Sequence, residues 1–153
     1  MALAEATFNE IYDQYADTVY RVCFACLCNK ADAEDATQTT FMKLLRTQTA
    51  GGIRNTKAWL ITCAKNSCAD IQRRGYRKDT TLEDWYAHTD YRDETRELLY
   101  SLGRHERLSL YLHYYEGYTA AAIGKMLGKS ESSVWDYLQK GRKQLKKLLQ
   151  EAM

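Results

Sequence analysis

Residues Tyr114–Leu149 read YYEGYTAAAIGKMLGKSESSVWDYLQKGRKQLKKLL, and this stretch decides the fold. Gly117 breaks the helix before it, and Thr119 is placed to cap a short helix in which Ala122, Ile123, Met126 and Leu127 recur at helical spacing. Gly128 fits a left-handed C-cap. Ser130, two residues on, is a natural N-cap for a second helix, so the connection is short and the angle between the helices is fixed. In the second helix Val134, Leu138, Gly141, Leu145 and Leu148 form a buried stripe. The opposite face begins with Glu131, Ser132, Trp135, Asp136 and Gln139 and ends with Lys140, Arg142, Lys143, Lys146 and Lys147. A short glycine-and-serine turn followed by a helix basic on one side is the pattern of a DNA-binding helix-turn-helix. There the early residues of the second helix meet base edges and the basic ones hold phosphates.

Working outward, the 153-residue chain contains no proline, where average usage gives roughly seven. With few glycines, no β-branched runs and apolar residues recurring at three and four, the fold class is all-α. No apolar stretch reaches membrane-spanning length and the first residues carry Glu5 and Glu10, so a cytoplasmic protein is expected, with no membrane insertion. The net charge of +2 hides a pattern: residues 1–50 carry net −3, 51–80 net +5, 81–116 net −4 and 117–153 net +4. Two basic blocks between acidic ones mark two places that meet polyanion and two surfaces with other partners.

In the first half, Phe8, Ile11, Tyr12, Tyr15, Val19, Val22, Cys23 and Cys26 give one helix from Glu5 to Cys28. Asp32 is expected to cap a second helix with Ala33, Ala36, Thr37, Thr40, Phe41, Leu44 and Leu45 inward and Asp35, Gln38 and Thr39 outward. Gly51-Gly52 marks a loop. Asn55 caps a third helix, with Trp59, Leu60, Cys63, Ala64, Ser67 and Ile71 as its core side and Lys57, Lys65, Asn66, Arg73 and Arg74 open to solvent. Residues 79–93 lack periodicity and read as a linker that carries Trp85 and Tyr86. Helices over Glu94–Leu102 and Arg104–Tyr115, the latter with Leu108, Tyr111, Leu112 and Tyr115 inward, lead into the helix-turn-helix. The architecture is two small helical domains, 1–78 and 94–153, joined by that linker, the C-terminal one containing the helix-turn-helix.

Three motifs, in this order, resemble bacterial RNA polymerase sigma factors of the extracytoplasmic-function group. Asp32-Ala33-Glu34-Asp35-Ala36-Thr37-Gln38 with Phe41 resembles the family's polymerase-binding helix. Lys57-Ala58-Trp59-Leu60 through Ala64, Asn66, Asp70 and Arg73-Arg74 resembles its promoter-opening helix. Tyr114-Tyr115-Glu116-Gly117-Tyr118-Thr119, then Ile123, Leu127-Gly128, Ser130, Val134 and Gly141-Arg142, resembles its promoter-reading motif. The resemblance implies a sigma factor with core RNA polymerase and promoter DNA as partners and an anti-sigma factor as a possible third. Asp35 and Gln38 would touch the clamp helices of the largest polymerase subunit. Asn55, Lys57, Lys65, Asn66, Arg73 and Arg74 would serve the minus-ten element, where an unstacked base is held and basic residues retain the backbone. Ser132, Ser133, Trp135, Asp136 and Gln139 would read the minus-thirty-five element, with Lys140, Arg142 and Lys143 on phosphates. The chain departs from the family at Thr39, where many members carry an acid, and at Trp135, Asp136 and Tyr137, where Arg or Lys is common; an unusual promoter preference is expected.

Other readings are weaker. Cys23, Cys26 and Cys28 lie along one amphipathic helix and point to different faces, unlike a structural zinc site, and the five cysteines are expected to be reduced. His88, His105 and His113 have no catalytic spacing, and there is no glycine-rich phosphate loop, so neither an enzyme nor a cofactor or metal is expected. The alternative is a helix-turn-helix regulator that does not itself open promoters.

Overall fold

The computed structural model describes residues 5–47, 53, 55–75 and 101–152, and the chain divides into two compact units, Met1–Thr81 and Leu82–Met153. Among the described residues every regular element is helical. No helix among them is long and apolar enough to cross a membrane. The linker read over 79–93, the helix over Glu94–Leu102 apart from its last two residues, and the Gly51-Gly52 loop lie outside the described residues.

The first unit consists of α1 (Glu5–Leu27), α2 (Lys30–Arg46) and α3 (Thr56–Gly75), each packed on the other two. Val19, Val22, Cys23 and Cys26 of α1 meet Ala33, Ala36, Phe41 and Leu44 of α2 and Leu60, Ile61, Ala64 and Cys68 of α3, all buried. Burying each of the larger aliphatic side chains contributes about 1.5–3 kcal/mol. Tyr12 and Phe41 close one end of this core edge to face, ring centroids 4.8 Å apart.

The turn from α1 to α2 differs from the expectation. The N-cap is Asn29, not Asp32: Asn29 Oδ1 accepts the Asp32 N–H at 2.9 Å, and Asp32 lies inside the helix, in its first turn. Asp32 instead supplies negative charge to the positive end of the helix dipole. Cys28 just before it has φ +50° and is buried, which lets two helices join across two residues. Leu45, expected inward, is 47% exposed, because the packed stripe of α2 ends on Leu44 and the next residue is rotated about 100° away. Thr37, Thr39 and Thr40 of α2 each donate to the carbonyl four residues back, at 2.7, 2.9 and 2.8 Å, which satisfies their hydroxyls within the helix at a small cost to helix stability.

The second unit contains α4 (Arg104–Leu110) continuing into a π-helical turn (Tyr111–Tyr115), then α5 (Ala120–Leu127) and α6 (Glu131–Ala152). Its core joins Leu102, Leu108 and Leu112 to Ile123, Met126 and Leu127 of α5 and Val134 and Leu138 of α6. Gly141 is buried where α6 crosses α4; a Cβ there would stand 2.8 Å from Leu110 Cδ1. Leu145 and Leu148 are only half-buried, so the inward stripe of α6 fades beyond Gly141. Tyr115 was expected inward and is 63% exposed. The π turn is the reason: its i to i+5 bond, from the Glu116 N–H to the Tyr111 carbonyl at 3.2 Å, widens the spiral and carries Tyr114 and Tyr115 off the core stripe.

Candidate nucleic-acid interface

The helix-turn-helix is held by local chemistry at each corner. Gly117 stands at φ +80°, and Thr119 Oγ1 accepts the Ala122 N–H at 3.1 Å to start α5. Gly128 ends it at φ +67°, a conformation that costs glycine little and other residues about 1 kcal/mol. The Lys129 N–H then returns to the Gly124 carbonyl at 2.8 Å, and Ser130 Oγ accepts the Ser133 N–H at 3.1 Å to start α6. The turn is Gly128-Lys129-Ser130, as the sequence implies.

On α6, Ser132, Trp135, Asp136, Gln139, Lys140, Arg142 and Lys143 are exposed along one side, and Lys146 and Lys147 extend the basic half. Ser133 is half-buried: its hydroxyl accepts from Ser130 Oγ at 2.8 Å, so both its polar groups serve the turn. Trp135 is 47% exposed, and its ring meets His113 edge to face at 6.0 Å. His113 Nδ1 in turn bonds the Tyr118 carbonyl at 2.8 Å, so the π turn supports the middle of the α6 face. Tyr137 does not share that face. It is half-buried and stacks on His105 at 5.1 Å. Arg142 Nη1 donates to Tyr114 Oη at 2.6 Å.

The sequence reading missed His113 and Tyr114. Its available signal was the adjacent pair Tyr114-Tyr115, since neighbours on a helix lie about 100° apart and cannot both face a narrow core.

In the first unit, Asp35 and Gln38 are exposed three positions apart on α2, hence on one face, and Thr39 ties its hydroxyl to the Asp35 carbonyl. On α3, Asn55 Oδ1 accepts the Ala58 N–H at 3.1 Å as the cap, which commits its oxygen and leaves its amide nitrogen. Lys57 and Lys65 are half-buried, whereas Asn66, Arg73 and Arg74 are exposed. Asn66 and Arg73, seven positions apart, share a face. Asp70 engages both arginines: Arg73 Nη2 bonds its carboxylate at 2.5 Å, and Arg74 Nε reaches its backbone carbonyl at 3.5 Å. This ion pair is largely in solvent and holds geometry more than it stabilises. Lys43 Nζ of α2 donates to Ser67 Oγ of α3 at 3.2 Å, linking the acidic helix to the basic one.

The described residues contain no group of three or more His, Cys, Asp or Glu that could hold a metal. Cys68 is buried, with its thiol 3.9 Å from the Cys23 carbonyl; hydrogen bonds to Cys23 and Cys26, then burial, hold it well above the usual thiol range.

Fold and site together define a two-unit all-helical protein that carries a helix-turn-helix with a basic second helix. A family model described as Sigma-70 region 2 matches residues 11–78, and one described as Sigma-70, region 4 matches residues 92–145. The chain is 33% identical over 144 residues to the ECF RNA polymerase sigma factor BldN of Streptomyces coelicolor, covering 83% of this chain and 54% of that protein. It is 27% identical over 167 residues to the ECF RNA polymerase sigma factor SigX of Bacillus subtilis, covering 94% and 84%. A chain of the co-crystal structure of the sigma factor RpoE with the anti-sigma factor NepR from Bartonella quintana shares the fold, with TM-score 0.75 at 21% identity over 94% of this chain and 97% of that one. The chain belongs to the sigma-70 family, in its extracytoplasmic-function group. It spans 54% of the length of BldN and 63% of that of SigE from Mycolicibacterium smegmatis.

Proposed function

We propose that this protein is a sigma factor: it binds core RNA polymerase, recognises promoter DNA and directs transcription initiation without catalysing a reaction itself. The observation that carries this reading is the pairing, in one chain, of a helix-turn-helix with a three-helix unit whose exposed α2 face carries Asp35 and Gln38. A DNA-binding regulator accounts for the first feature alone; the match of residues 11–78 to the Sigma-70 region 2 model supports reading the exposed α2 face as a docking surface instead of a merely solvated one.

Under this reading the two units divide the promoter. Asp35 and Gln38 dock on the clamp helices of the largest polymerase subunit. Lys57, Lys65, Arg73 and Arg74 retain the backbone of the minus-ten element, and Asn55 and Asn66 offer amides to an unstacked base. Ser132, Trp135, Asp136 and Gln139 meet base edges of the minus-thirty-five element, Lys140, Arg142 and Lys143 hold phosphates, and Ser133 acts by fixing the turn. Residues 79–93 act as the linker between domains 1–78 and 94–153. An anti-sigma factor is a further partner, and the cytoplasm is the place of work.

The test is capture of core RNA polymerase by the parent and by Asp35→Arg combined with Gln38→Ala. Capture by the parent and loss in the variant support the reading, and promoter-dependent transcription follows. Failure of the folded parent to bind core enzyme sinks it and leaves the helix-turn-helix regulator.

A further inference from the structure

The π turn does more than join α4 to α5. By rotating the Tyr111–Tyr115 spiral it brings Tyr114 out to 57% exposure beside α6, where Tyr114 Oη accepts a hydrogen bond from Arg142 Nη1 at 2.6 Å. Because the tyrosine oxygen is the acceptor, its own proton is left to donate elsewhere. Arg142 keeps the other N–H groups of its fork, and among the described residues it meets no carboxylate. Two donor groups and the Arg142 charge are therefore assembled at one exposed point. Tyr114 sits next to His113, whose ring supports Trp135, and Trp135 lies seven positions before Arg142 on the same side of α6. The pair therefore borders the base-reading face instead of lying within it.

We propose that Tyr114 and Arg142 form one composite site for a phosphodiester of duplex DNA, with the tyrosine hydroxyl and the guanidinium donating to the non-bridging oxygens of a single phosphate. The π turn thus becomes a second DNA-contacting element of the unit. The proposal rests on the reading of α6 as a DNA-recognition helix. Arginine is suited to this role because its fork matches phosphate oxygens, and the existing bond to Tyr114 fixes the side chain before DNA arrives, which reduces the ordering cost on binding.

The full chain is titrated with short mixed-sequence duplex DNA over a series of salt concentrations, comparing the parent, Tyr114→Phe, Arg142→Ala, the double variant, and Lys140→Ala with Lys143→Ala. Tyr114→Phe keeps the ring against His113 and is expected to bind about fivefold more weakly with an unchanged salt slope, since it removes one neutral donor. Arg142→Ala is expected to flatten the slope by about 0.9, one phosphate's worth of counterion release. In the double variant the tyrosine effect should vanish. If the lysine variant loses affinity while Tyr114→Phe and Arg142→Ala bind like the parent, or if their losses simply add, the composite site is overturned. A parent that does not bind duplex, or a lysine variant that binds as well as the parent, overturns the DNA-recognition reading of α6 and the site with it.

Discussion

The Lys129 carbonyl lies 2.6 Å from the point where a Cβ on Gly124 would stand. The turn of the helix-turn-helix therefore folds back onto the flank of α5 at backbone contact, and nothing flexible can give way. Gly124→Ala should destabilise the second unit by about 1–3 kcal/mol despite the better helix propensity of alanine. Gly141→Ala is the comparison: its Cβ would meet Leu110 Cδ1 at 2.8 Å, Leu110 Cγ at 3.1 Å and Glu106 Cβ at 3.4 Å, all side-chain atoms instead of backbone. Denaturant unfolding followed by circular dichroism should show a clear loss for the first and a much smaller one for the second. Equal effects would mean that the turn is not what constrains Gly124.

Ser109 Oγ is buried and has no hydrogen-bond partner among the described residues. A hydroxyl in that position carries a desolvation cost with nothing to offset it. Ser109→Ala should therefore stabilise the unit by about 1 kcal/mol, raising its melting temperature by several degrees. A fall in melting temperature would show that the hydroxyl has a partner in solution.

The Cys68 thiol is held protonated by its bonds to Cys23 and Cys26 and by burial. Cys63 is shifted in the same direction by burial, partly countered by the Lys43 charge. In the unfolded chain such thiols ionise near a pKa of about 8.5. Stability from these groups is thus complete below that pH. Above it the unfolded chain loses protons that the folded chain keeps, so stability declines as pH rises, by up to about 1.4 kcal/mol per pH unit for the buried Cys68 and by much less for the half-exposed Cys63. Denaturant midpoints measured on either side of the thiol pKa should fall on the alkaline side, and Cys68→Ala should flatten that fall. The Cys68 contact holds Cys23 in the opposite direction and offsets part of the fall, so the deciding comparison is the variant: Cys68→Ala midpoints that depend on pH as the parent's do would contradict the assignment.

Asp136 places a carboxylate next to Trp135 on a face whose only other acid is Glu131 at its start and whose remaining members are basic or polar. Phosphate repels it, whereas the N4 amino group of cytosine can donate to it. Asp136→Asn should bind mixed-sequence duplex more tightly, and should discriminate less well between a recognised site and a random one. Competition binding measures both. Tighter binding with undiminished discrimination would remove Asp136 from base readout.

Asn29 supplies the side-chain cap at the start of α2. Asn29→Ala should cost about 1 kcal/mol, and Asn29→Asp should cost little, because either side chain can accept the Asp32 N–H. Unfolding of the two variants beside the parent decides this.

Much of this was legible in the sequence, for reasons that differ by residue. Asn55, Thr119, Gly128 and Ser130 act through neighbours three or four residues away, so the chain names both partners, and each stands as read. The start of α2 was misread because Asn29 and Asp32 are both good caps, and the buried αL residue at Cys28, which decides between them, leaves no trace in composition. Tyr115 was misplaced because the stripe was extended at 3.6 residues per turn through a π turn. In the interface, the exposed run from Ser132 to Lys143 follows from periodicity. The support of Trp135 by His113 and of Arg142 by Tyr114 crosses more than twenty residues and depends on packing that no spacing encodes.

Among the described residues, four helix starts are closed by the same device, a side-chain oxygen at the cap taking the N–H three residues on: Asn29 to Asp32, Asn55 to Ala58, Thr119 to Ala122, Ser130 to Ser133. None of these contacts waits for a distant partner. As the chain leaves the ribosome, the partner of each cap emerges within one turn of it, so no start depends on a later part of the chain, while the helices themselves persist only once their apolar stripes pack. Contacts this short in sequence span carry little loop-closure cost and favour rapid folding of each unit, which shortens the time its apolar stripes stand unpaired among other nascent chains.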